Sequence, residues 1–154
     1  MPTTPLRTSS LLKFLSRLAL VVYSALVLYI VFFSRRRRSL VWSPDMVNLV
    51  PLLNTFRDHR HINDIGWWNY WENIFGNIAL FVPMPAVVAS SFDLRGRWLL
   101  LGIGVAESVL IEVTQYVWEI GIPDIDDVIF NSAGAMLGVL LWELVCSKIQ
   151  RRLS

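Results

Sequence analysis

The chain holds one cysteine, Cys146, so no intrachain disulfide can form and no cysteine cluster can bind a metal. Histidine is nearly as scarce. His59 and His61 stand two residues apart with no carboxylate or cysteine at a matching ligand spacing, and they read as part of a solvated loop. Charge is thin: charged residues make up 17% of the chain and the formal net charge is +2, which gives nucleic acid no handle. No internal repeat is present, no twelve-residue calcium loop, and no Ser–His or Cys–His pair beside the acidic residues. No cofactor is assigned.

What is abundant is hydrocarbon. Of 154 residues, 55% are hydrophobic, and the mean hydropathy is +0.51. That composition excludes an ordinary soluble domain and fits a small membrane protein. The length allows about four spans of roughly 20 residues plus loops. The expected architecture is an all-α polytopic membrane bundle, one domain over residues 1–154, with about four transmembrane helices and a short interfacial or re-entrant segment. The first span is expected over 14–33, uncleaved, with Arg17 snorkelling in its first turn and Arg35 to Arg38 closing it. Residues 47–56 are apolar but interrupted by Pro51, so a short helix or a re-entrant piece at the interface is expected. Trp67, Trp68, Tyr70 and Trp71 form an aromatic belt just before the second span, expected over 72–92. Pro83 and Pro85 should kink that span. On it, Asn73, Gly76, Asn77 and Leu80 share one helical face that is small and polar, suited to close packing.

The third and fourth spans, expected over 98–118 and 128–146, carry polar groups where hydrocarbon is the rule. Ser108, Glu112, Gln115 and Glu119 fall in one narrow sector of a helix, with Glu107 on its edge. A carboxylate at membrane depth is expensive and marks a functional candidate. Gly121 to Pro123 turn the chain, and Asp124, Asp126 and Asp127 follow. Asp124 can cap the fourth helix, with Asp127 as its third residue. Three carboxylates in four residues exceed what a cap needs, and the excess can hold a hard cation or accept from a donor on a ligand. Asn131, Gly134, Ala135 and Gly138 then share a face, and the two glycines form a small-xxx-small pair for helix packing. The short connection makes the third and fourth spans antiparallel neighbours, so Glu112 and Gln115 should converge with Asp127 and Asn131, with Asn73 and Asn77 supplying amides.

Four blocks carry a family resemblance: NLVPLLNTF at 48–56, NIFGNIALFVP at 73–83, SVLIEVTQ at 108–115 and DIDDVIFNSAGAMLG at 124–138. In this order and spacing the chain resembles the VanZ-like membrane proteins, the matched core covering about 48–140. The chain departs from the pattern in two places. Pro85 stands where glycine is common, and Gly121 and Ile122 stand where an arginine often precedes the aspartates. The family takes its name from a protein associated with teicoplanin resistance. The resemblance therefore implies a bacterial plasma-membrane protein acting on the cell envelope, with an effect on glycopeptide susceptibility as the named association.

Three classes of function fit these residues. The favoured one is a non-enzymatic membrane protein that binds or handles an envelope component, lipid-linked in form, among membrane lipids. Its binding residues would be Glu112, Gln115, Asp124, Asp126, Asp127, Asn131, Asn73 and Asn77. An intramembrane enzyme would use Glu112, Asp126 and Asp127 as an acid–base set or to bind a metal that activates water. A structural subunit would use the same polar face only to hold helices together. Basic residues set the expected topology: eight (Arg7, Lys13, Arg17, Arg95, Arg97, Lys148, Arg151, Arg152) share a side with both termini, against six (Arg35 to Arg38, Arg57, Arg60) opposite, favouring cytoplasmic termini.

Overall fold

A backbone that crosses hydrocarbon has to satisfy its own N–H and C=O groups, and a helix does so within one segment. A computed structural model, describing residues 10–34, 42–52 and 64–153, is built this way. Helix α1 runs Ser10–Tyr29 and continues as a π-helical turn, Ile30–Ser34. A 3-10 turn at Pro44–Met46 follows, then α2 (Asp64–Phe81), α3 (Met84–Phe92), α4 (Arg97–Val117) and α5 (Ile125–Leu153). Four stretches are long and apolar enough to cross a membrane: Ser10–Phe33, Tyr70–Phe92, Arg97–Val117 and Ile125–Arg152. Among the described residues no strand forms beyond an isolated parallel bridge between Asn48 and Asp124. The fold is an all-α polytopic membrane bundle of four spans, with a short non-spanning segment between the first two.

Helices α2 and α3 are one span broken at its prolines. Pro83 and Pro85 carry no N–H, so the helical ladder is interrupted where they stand. Near the break the Leu80 carbonyl accepts from Tyr23 Oη of α1 at 3.0 Å, so the kink is tied to the first helix. Tyr23 and Val27 are the buried residues of α1, which packs against α3. Ser91 Oγ of α3 donates to the Ser16 carbonyl at 2.9 Å, and Lys13 pairs with Asp93 at 2.6 Å.

Helix α5 is the hub, packed against α2, α3 and α4. Its glycines explain how. A Cβ at Gly134 would run into the Ile78 carbonyl, and one at Gly138 into the Val82 carbonyl and the Pro85 ring. The small-xxx-small pair therefore seats α5 against the backbone of the kinked span. Gly104 of α4 does the same work against Met84 and Ala135. Phe81, Met84, Ala135 and Val139 are buried in the core that results, while Val109, Leu110, Val113, Leu137 and Leu141 are exposed on outward faces suited to lipid. Arg97 grips Glu143 through two hydrogen bonds of 3.1 and 3.0 Å. With the Lys13–Asp93 pair, this gathers the start of α1, the α3–α4 turn and the later half of α5 at one end.

Several details differ from the expectations. Gly76 faces open space and mediates no packing, so the small polar face of α2 works through its asparagines alone. Glu119 lies past the end of α4, exposed, with φ 54°. The helix closes there by a Schellman pattern, Ile120 N–H to Gln115 O at 3.2 Å and Glu119 N–H to Tyr116 O at 3.4 Å, which removes Glu119 from the polar stripe. Helix α5 begins at Ile125, directly after the expected Asp124 cap, but runs on past 146 through Arg151 and Arg152, whose charges suit its C-terminal dipole. Residues 47–52 are extended and turned rather than helical, because the Asn48 backbone is committed to the bridge. His59, His61, Arg57, Arg60 and Arg35 to Arg38 lie outside the described residues.

Candidate functional site

The polar residues of α4 and α5 meet at the end opposite the Lys13–Asp93 and Arg97–Glu143 pairs. Three segments build the site: the last turns of α4, the turn 118–124 that leads into α5, and the extended piece 48–52. Asp124 organises the entry to α5. Its Oδ1 accepts from the Asp126 N–H at 2.8 Å, and its carbonyl accepts from the Asp127 N–H at 3.1 Å. It is thus the N-cap, with Asp126 and Asp127 in the first turn at the positive end of the helix dipole. Glu112 of α4 takes the N–H of Asp124 itself, Oε2 accepting at 2.8 Å.

The segment 48–52 docks on this cap. Asn48 N–H donates to the Pro123 carbonyl and Ile125 N–H to the Asn48 carbonyl, both at 3.0 Å. Asn48 Nδ2 donates to Asp124 Oδ1 at 2.7 Å, while Asn48 Oδ1 accepts from the Val50 N–H at 3.1 Å. Leu52 then turns through φ 59°, a left-handed conformation uncommon for a side chain of this size, and its N–H donates to Asp126 Oδ1 at 2.5 Å. Backbone strain and a carboxylate thus hold each other in place.

From the other side, Asn73 and Asn77 of α2 both donate to Asp127 Oδ1, at 3.2 and 2.5 Å. Deeper in, Asn131 Nδ2 donates to Ser108 Oγ at 2.9 Å. Of the residues named from sequence, Glu112, Gln115, Asn77, Asp126, Asp127 and Asn131 are buried, and Asn73 and Asp124 are half-buried. Asn73 and Asn77 meet Asp127, and Glu112 meets the backbone of Asp124. Asn131 pairs with Ser108. Gln115, 1% exposed, keeps its Oε1 without a hydrogen-bond partner, and so does Oδ1 of Asn131 at 5% exposure. An unmet buried acceptor costs about 1–3 kcal/mol, so two of them are an unusual expense in so small a bundle. Asn48 was not singled out in the sequence as a site residue, and the only signal for it was its place in the first matched block.

Aromatic rings frame this end. Trp67, Tyr70, Trp71 and Phe75 form a run of stacked and edge-on contacts along α2, with centroids 5.0 to 6.2 Å apart. Trp42 meets Tyr116 edge-on at 5.8 Å. Such rings favour the headgroup layer, which sets the depth of the centre near one membrane surface. Burial pushes the Asp124 carboxyl above its ordinary range; the Asp126 N–H and Asn48 pull it back, and the charges of Asp127 and Asp126 push it up again. Among the described residues no three Asp, Glu, His or Cys side chains are grouped closely enough to hold a metal ion. The chemistry on offer is hydrogen-bond acceptance: carboxylates already steadied by amide donors, beside two amide oxygens with none.

The chain is similar to the protein named VanZ from Enterococcus faecium, 24% identical over 132 residues that make up 86% of this chain and 76% of that one. No solved structure matches. The family model described as VanZ/LLP1 matches residues 20–146, from within α1 to the later part of α5, and the chain therefore belongs to the VanZ/LLP1 family.

Proposed function

We propose that the protein binds a lipid-linked component of the bacterial cell envelope at this polar centre, without catalysing a reaction on it. The observation that carries the reading is the surplus of acceptors. Glu112, Asp124, Asp126 and Asp127 lie together with the unpartnered oxygens of Gln115 and Asn131. A headgroup rich in hydroxyl, amide or ammonium donors would satisfy the two open amide oxygens and be drawn by the neighbouring carboxylates, while its lipid stayed in the bilayer. The aromatic run on α2 supports a site at headgroup depth. Such a protein belongs in the plasma membrane, and the basic end, carrying both termini, belongs in the cytoplasm by the positive-inside rule. That orientation sets the polar centre against the outer leaflet, where envelope precursors are used and where a change in their handling would alter glycopeptide susceptibility.

The test is mass spectrometry of lipids that co-purify with the protein. Glu112→Gln keeps the shape and an acceptor for the Asp124 N–H but removes the charge. It is expected to fold in normal yield and to lose the bound component at least about tenfold, the loss that about 1.4 kcal/mol of binding corresponds to. Equal retention in wild type, Glu112→Gln and Asp127→Asn would leave helix packing as the whole role of these residues.

A further inference from the structure

One carboxyl of α4 takes no part in the polar centre. Glu107 is the eleventh of the 21 residues of Arg97–Val117, the middle of its span. It stands five residues before Glu112, about 7.5 Å deeper along the helix. Glu107 is half-buried, and among the described residues no cation pairs with it and no hydrogen bond reaches it. A hydrocarbon core about 30 Å thick puts either surface about 15 Å away, too far for a glutamate side chain to snorkel. The elements around α4 bring no charge to this depth. Residues 84–92 of α3 and 128–142 of α5 hold no Asp, Glu, Lys, Arg or His, and neither do 73–81 of α2 or 18–34 of α1. On α4 itself the nearest base is Arg97, about 15 Å away along the axis and committed to Glu143. The titratable neighbour is Tyr23 of α1, 8% exposed and within electrostatic reach of Glu107. Its hydroxyl already donates to the Leu80 carbonyl at 3.0 Å.

We infer that Glu107 is a proton-binding site inside the bilayer, occupied as a neutral acid in this arrangement of the helices. Two observations carry it together: depth without a partner, and the direction of the Tyr23 hydroxyl. An ionised carboxylate at the middle of a span, with no counter-charge, is among the costliest groups a bilayer can hold, and a proton removes the charge where no base does. A carboxylate is also a stronger acceptor than a peptide carbonyl, so an ionised Glu107 would compete for the Tyr23 hydroxyl. That hydroxyl stays on Leu80, at the kink, which is what a neutral neighbour permits. Release of the proton would pull on the contact that ties α1 to the kinked span. The site is independent of the envelope ligand proposed for the polar centre.

The full chain in phosphatidylcholine nanodiscs is treated with dicyclohexylcarbodiimide, which partitions into hydrocarbon and reacts with protonated carboxyls. The acid's proton passes to one carbodiimide nitrogen and its oxygen bonds to the central carbon. The acyl group then migrates to the other nitrogen, so the stable acylurea keeps every atom of both reactants. Peptide mapping is expected to place an adduct on Glu107 that is missing from Glu107→Gln. A solvated glutamate titrates near about pH 4.3, so its labelling rate should fall almost tenfold from about pH 5 to about pH 6, whereas that of Glu107 should fall less than about twofold. Infrared spectra give a second reading that needs no reagent access. The wild-type minus Glu107→Gln difference at about pH 6 should hold the carbonyl band of a protonated carboxyl. Glu107→Leu serves in that difference if Glu107→Gln does not fold. The band without the adduct supports the site and shows that the reagent cannot enter. A difference spectrum without the band would overturn the inference, and so would a Glu107 labelling rate that falls tenfold over the same pH step.

Discussion

Oδ1 of Asp124 accepts from two donors at once, Asn48 Nδ2 and the Asp126 N–H, while the backbone N–H of the same residue is held by Glu112. Burial raises the pKa of its carboxyl, so the folded protein holds that proton more tightly than the unfolded chain does. The sign follows: this contribution to stability is complete below the unfolded carboxylate value, about 3.9, and is lost as pH rises through the raised folded value. Asp124→Asn keeps an acceptor for both donors and carries no charge. Its thermal unfolding profile in detergent should therefore be flatter than the wild type's, the wild type falling below it as pH goes from about 4 to about 7. Asp124→Ala loses the cap and should be weaker by about 1 kcal/mol at every pH. Parallel curves for wild type and Asp124→Asn would contradict this account. At this scale much of the site was legible. Glu112, Gln115 and the aspartates stood out because carboxylates and amides are rare in apolar runs. Asn48 did not, because an asparagine in a loop looks like any turn residue, and its partner lies 76 residues away. Its amide, with those of Asn73 and Asn77, now serves carboxylates where the family pattern leads one to expect an arginine.

For whole elements, backbone approach decides more than side-chain chemistry. Helix α5 can serve three neighbours because Gly134 and Gly138 let carbonyls of the kinked span come within touching distance. Gly134→Ala and Gly138→Ala are expected to destabilise the bundle by about 1–3 kcal/mol, since the atom each would strike is backbone and cannot swing aside. Gly76 and Gly102 meet nothing, so alanine there should be neutral or stabilising by up to roughly 1 kcal/mol. Unfolding titrations of the four variants separate these outcomes, and a Gly138→Ala protein as stable as Gly76→Ala would remove close approach as the explanation. The glycine pair was readable from its spacing and the kink from its prolines. The conformation just past the helix ends was harder. The second and third spans, expected to end at 92 and 118, end at Phe92 and Val117, but Asp93 and Glu119 adopt the left-handed conformation that a glycine usually signals, and Glu119 looked like a continuation of the α4 stripe.

Across the whole molecule and among the described residues, the acceptor cluster lies at one end and the lysines and arginines at the other, where Asp93 and Glu143 pair with two of them. If the basic end is cytoplasmic, reporter fusions after Arg97 and after Asp126 should give opposite signals, the first active inside the cell and the second only outside. A cytoplasmic signal from the Asp126 fusion would reverse the orientation and set the polar centre against the inner leaflet. The four-span plan was plain from hydrocarbon runs alone, because every span must be long and apolar whatever its neighbours are. The docking of 48–52 onto α5 left no such mark, for a single parallel bridge has no period.

That bridge also bears on how the protein is made. Synthesis proceeds from the N-terminus, so residues 48–52 leave the ribosome long before Asp124 and Asp126 exist. Until the last helix inserts, the Leu52 N–H and the backbone and side-chain amide of Asn48 cannot have the partners described above. A chain that stalls before its fourth span would therefore leave this strap unlatched, with Leu52 free to relax from its left-handed conformation. Closure of the strap is therefore a late step, possible only in a molecule whose last helix is in place.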